Sequence, residues 1–112
     1  MGGSRQRTRV WRVGFWSLAV VVTVLSLTPP THLPPQMFDL WDKAQHALAF
    51  AALASLGRLA YPRLGWSVVA AALLLHGAAI EAAQAATGWR HAEVADWLAD
   101  AVGVGLVWSV AA

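Results

Sequence analysis

Four short groups of polar residues interrupt an otherwise apolar chain, and they are of the types that bind ligands or move protons. Asp42, Lys43 and His46 open one segment, Glu81 and Gln84 close the next, Arg90 lies in the connection after it, and Glu93, Asp96 and Asp100 begin the last. Asp42 and His46 are four apart, so on a helix the carboxylate shares a face with the imidazole and can orient it or raise its proton affinity. Gly77, Glu81 and Gln84 share a second face. Glu93, Asp96 and Asp100 form a third stripe continuing towards Gly103, and glycine at 77 and 103 lets a neighbouring helix approach closely. Two carboxylates brought together at low dielectric repel and push one pKa upward, whereas Arg90 beside them would hold them ionised; spacing alone leaves both outcomes open.

The set suits a phosphate-bearing ligand. Lys43 and Arg90 are the cationic donors, with Asp42, Gln84 and Asp100 completing the ligand-binding group. His46, Glu81 and Asp96 are the catalytic candidates, His46 as nucleophile or base and a carboxyl group as acid, in phosphoester hydrolysis or transfer. Whether the chain is an enzyme stays open, because it has no recognised nucleophile motif, phosphate-cradling glycine loop or HExxH pattern. His46, Glu81 and Asp96 offer a nitrogen and carboxylates to a metal, but their spacing is not diagnostic, and neither metal nor cofactor is expected. Plainer roles compete: Lys43 snorkelling, Arg90 anchoring at an interface, His46 donating to a backbone carbonyl, and Asp39, Glu93 and His91 capping helices or meeting headgroups. His76 lies about 140° around an ideal helix from Glu81 and reads as a separate packing or hydrogen-bonding residue.

The elements that must position these groups read as helices in lipid. The chain has 112 residues, 58% hydrophobic and 12% charged, too little polar side chain to cover a water-exposed domain. Cysteine is absent, which excludes disulfides and thiolate chemistry. A basic segment, 1–12, precedes a single domain, 13–112, with spans at about 13–28, 43–59, 64–86 and 93–111. The first has the layout of a signal peptide, but no small-x-small cleavage site follows, so retention as an anchor is expected. Pro29, Pro30, Pro34 and Pro35 mark a connector, and Pro62 stops the second helix.

Six of the eight basic residues lie at Arg5 to Arg12 and Arg58 to Arg63. Four crossings with that bias give an all-α polytopic membrane protein, a four-transmembrane-helix bundle with N and C termini cytoplasmic, in the bacterial cytoplasmic (inner) membrane. The formal charge of +2 is modest and its arginines flank apolar spans, so nucleic acid is not an expected partner.

The same residues carry a family resemblance. DKAQHALAF at Asp42 to Phe50, IEAAQ at Ile80 to Gln84, and the run from Gly88 through Arg90 and Asp96 to Gly103 resemble the VanZ-like family of small bacterial membrane proteins. The family pattern falls on Asp42, Lys43, His46, Glu81, Gln84, Arg90, Asp96, Asp100 and Gly103. Asp100 departs from it, since the family usually has asparagine there, as does Glu93, where a small hydroxyl residue is common. The resemblance implies a role in envelope maintenance.

The expected function is recognition or processing of an anionic envelope lipid or cell-wall precursor at the outer face of the membrane. The alternative is a non-catalytic structural or partner-binding protein, whose polar cluster joins the helices and receives a lipid, a second copy or another membrane protein. A transporter ranks below both, because four helices make a narrow pore only in an oligomer.

Overall fold

Each helix boundary follows from local chemistry. In the computed structural model, residues 2–28, 39–88 and 94–111 are described, with side chains placed for 5–28, 43–88 and 94–110. Helix α1, Gly2–Leu27, includes the basic segment as its first turns and stops two residues before the Pro29–Pro30 pair. Proline lacks an N–H and disfavours helix in the residue before it. Helix α2, Asp39–Ala60, ends at a tight turn in which Tyr61 N donates to Gly57 O (2.9 Å) and Leu64 N to Tyr61 O (3.0 Å). Helix α3, Trp66–Thr87, starts after Gly65 and closes on Gly88, whose φ of 77° is the left-handed conformation that glycine adopts without strain. Helix α4, Val94–Ala111, completes the fold.

The core lies where these helices meet. Phe50, Leu53 and Ala54 of α2 pack with Val69, Ala70, Leu73 and Ile80 of α3, Val104 of α4 and Ala19 of α1. The interface between α2 and α4 is the most extensive. Helices α2 and α3 each touch all three others, whereas α1 and α4 do not touch each other among the described residues, so they flank a central α2–α3 pair. Close approach of α4 to α2 depends on Gly103, where a Cβ would come within 2.0 Å of the Ala47 carbonyl oxygen.

This architecture corrects the four-transmembrane expectation. The chain is a four-helix bundle with a radius of gyration of 14.8 Å, close to the ~13 Å of a compact globular domain of this length. Among the described residues only the 5–27 stretch of α1 and α3 have the length and apolarity of a membrane span, by composition alone. Helix α4 carries Asp96 and Asp100 on its first half. Helix α2 carries Asp39, Asp42, Lys43 and Arg58. Four crossings therefore fail, and with them the polytopic fold class, the cytoplasmic placement of both termini and the multi-pass inner-membrane localisation. The error came from counting every apolar segment as a span, when the apolar residues of α2 and α4 divide between the core and exposed outer faces of the bundle.

Candidate functional site

The polar residues of α2 and α4 form a ladder rather than an open site. Residues 43, 46 and 47 share a face of α2, and 96, 100 and 103 share a face of α4, by the three- and four-residue periodicity of the helix. The helices run in the same direction, so the faces meet rung by rung. Lys43 Nζ lies 3.3 Å from Asp96 Oδ1, with the lysine partly exposed and the aspartate buried. One turn on, His46 Nδ1 lies 3.0 Å from Asp100 Oδ1, both groups being largely shielded from solvent. The third rung is the backbone contact of Gly103 with Ala47.

Asp100 is the most constrained of these groups. It is 2% exposed, and its second carboxylate oxygen lies 2.9 Å from where a Cβ on Gly77 would stand. Burial pushes its carboxyl pKa above the ordinary carboxylate value, and nearby Asp96 pushes the same way. The His46 hydrogen bond and charge oppose this, without reversing the net direction. His46 and Asp100 thus make a shielded side-chain contact across the α2–α4 interface, which stabilises a specific pairing of the two helices.

The remaining candidates are distributed around the ladder. Gln84, on α3, is 1% exposed and its Nε2 donates to the Ser26 carbonyl at 2.8 Å, tying α3 to the end of α1. Glu81 is partly buried on the same helix. His76 reaches Thr23 of α1, with Nε2 2.9 Å from Oγ1, and Trp97 Nε1 donates to the Leu74 carbonyl at 2.9 Å, linking α4 to α3. The side chain of Asp42, and Arg90 and Glu93 entirely, lie outside the described residues, as do His32 and His91. The structure thus brings Lys43 to Asp96 and His46 to Asp100, while Gln84 engages Ser26.

Sequence reasoning assigned His46 to Asp42 on its own helix and did not foresee Asp100 across the interface. It also passed over Ser26, whose carbonyl accepts from Gln84, and Tyr61, whose hydroxyl accepts from Trp16 Nε1 at 2.8 Å. Lone serines and tyrosines carry no pattern that periodicity can detect. Among the described residues no group of three or more His, Cys, Asp or Glu side chains has the arrangement of a metal site.

The geometry also corrects the expected function. Lys43, the described cation of the supposed phosphate site, is placed against Asp96 inside a compact bundle, so recognition of an anionic envelope lipid at an outer membrane face is not carried forward. Comparison with protein-family models, curated proteins and solved structures finds no match. The VanZ-like resemblance gains no support from them, and the membrane, cell-envelope and lipid-binding roles it implied fall with the four-span fold.

Proposed function

We propose that this chain is a non-catalytic assembly protein: a four-helix bundle locked by its polar ladder, which presents apolar helix faces to a second copy of itself. The observation that carries this reading is the outer stripe of α4. Val94, Leu98, Val102, Leu106 and Val110 recur every four residues and are between 52% and 87% exposed. Contiguous exposed apolar surface of this kind marks a face that another macromolecule covers. Gly105 sits beside the stripe with nothing within 4 Å of its would-be Cβ, leaving a flat place for a partner helix to approach. The candidate catalytic residues support the same reading, since His46 and Asp96 serve the contact between α2 and α4.

The test is sedimentation of the purified full chain beside a Leu98→Lys/Leu106→Lys variant, with circular dichroism as the check on folding. Assembly of the wild type and dissociation of an equally helical variant are expected. A wild type that stays monomeric at all concentrations, or one whose stripe partitions into lipid vesicles in place of self-association, would overturn the proposal.

A further inference from the structure

The opposite end of the bundle carries a feature the assembly role does not use. We propose that the cleft between the start of α1 and the α2–α3 turn binds an anion with clustered phosphates, a diphosphate group being the smallest that fits the chemistry. The cleft has a volume of about 690 Å³ and is lined by Arg5, Thr8, Arg9 and Arg12 of α1 and by Tyr61 and Arg63 of the turn. Volumes of this order hold small-molecule ligands. Arg5, Arg9 and Arg12 fall within an arc of about 60° around an ideal helix, and Arg63 closes the cleft from the other side.

The wall of the cleft is held in place. Arg12 Nε donates to the Ala60 carbonyl at 2.9 Å, and its guanidinium carbon stands 4.6 Å from the Tyr61 ring centre. That engages one edge of the guanidinium and leaves the rigid fork of its terminal nitrogens to face an oxyanion. Tyr61 is fixed by an edge contact with Phe15, and because its oxygen accepts from Trp16 its own O–H has to donate elsewhere. Arg58 is turned into the loop itself, donating to the Pro62 and Leu64 carbonyls and packing on Trp66, so it shapes the turn and does not line the cleft.

Charge decides the ligand class. All six acidic residues lie at positions 39, 42, 81, 93, 96 and 100, and none is among the residues that line the cleft. No carboxylate lines the cleft, and four guanidinium groups around one concavity repel each other until an anion occupies it. Guanidinium forks match phosphate oxygens in geometry, and several acting together favour an anion with more than one phosphate over a single-charge ion.

The experiment is calorimetric titration of the full chain with inorganic pyrophosphate and, separately, with dihexanoyl phosphatidic acid, at fixed ionic strength. Variants Arg9→Gln and Arg63→Gln are compared with Arg7→Gln, a residue on the far side of α1 that removes the same charge without lining the cleft. Each cleft variant is expected to bind at least about tenfold more weakly, as for loss of one charge-assisted hydrogen bond, while Arg7→Gln stays within about twofold. Tighter binding of pyrophosphate than of the lipid, which carries a single phosphate, is the expected result; equal or tighter binding of the lipid would overturn the clustered-phosphate assignment. Equal weakening by Arg7→Gln would reduce the cleft to diffuse charge and overturn the proposal, as would absence of binding to both titrants at millimolar concentration.

Discussion

Asp100 places a carboxyl group where burial works against its charge. Because its pKa is raised in the folded state above the ordinary carboxylate value, the Asp100 carboxyl holds its proton to higher pH in the folded chain than in the unfolded one. The contribution of Asp100 is therefore most favourable below about pH 4 and declines as pH rises towards the folded-state pKa. Asparagine keeps the shape, offers His46 both a donor and an acceptor, and cannot ionise. Asp100→Asn is thus expected to match or exceed the wild-type melting temperature at neutral pH, with the difference shrinking towards pH 4. Thermal unfolding at several pH values checks this, and a loss beyond about 2 kcal/mol at pH 7 would show that the fold needs the carboxylate. Two glycines of α4 make a second residue-scale contrast. A methyl at Gly103 would overlap the Ala47 carbonyl, a backbone group that cannot swing aside, whereas one at Gly105 meets open space. Gly103→Ala should cost at least the upper part of the ~1–3 kcal/mol typical of overpacking. Gly105→Ala should instead gain about 0.5–1 kcal/mol from helix propensity, both measured by urea unfolding at concentrations where the chain is dissociated.

Helices α2 and α4 are joined by two rungs that differ in exposure. The Lys43–Asp96 pair has a partly exposed cation and a buried anion, while both members of the His46–Asp100 pair are shielded. A double-mutant cycle with Lys43→Met and Asp96→Asn is expected to give a coupling of about 0.5–1 kcal/mol, the upper range for partly exposed ion pairs. A cycle with His46→Leu and Asp100→Leu should give the larger coupling, because each single variant removes the hydrogen-bond partner of a shielded polar group, whereas the double variant removes both members of the pair. Equal couplings would mean that burial does not distinguish the rungs. The helices themselves were legible in the sequence: Pro29 and Pro62 mark two of the ends, and the small residues at 77 and 103 mark where helices close on one another. The pairing of His46 with Asp100 was not legible. An i to i+4 rule sees only one helix, and the register of α2 against α4 is set by Gly103 docking on Ala47, a contact between residues more than fifty positions apart.

At the scale of the whole molecule, apolarity in the sequence had two causes that composition cannot separate. Leu53, Ala54, Leu73 and Val104 are apolar because they fill the core, whereas Val94, Leu98 and Val102 are apolar and remain outside it. Reading both as lipid-facing produced four spans where the chain forms a compact bundle. The division predicts how the molecule opens. Helices α2 and α3 pack against three neighbours each and α1 and α4 against two, so native-state hydrogen exchange of the dissociated chain should be slowest in α2 and α3, with the flanking helices opening first at lower free energy. Self-assembly through the outer stripe would change that order for one helix only. Raising the protein concentration should slow exchange in α4 towards that of α2 and leave the outer face of α1 unchanged, because bound partner adds to stability only where it is contacted. Slowing in α1 alone would move the interface to the exposed valines at 13, 20 and 24, and the Leu98→Lys/Leu106→Lys variant would then assemble as well as the wild type.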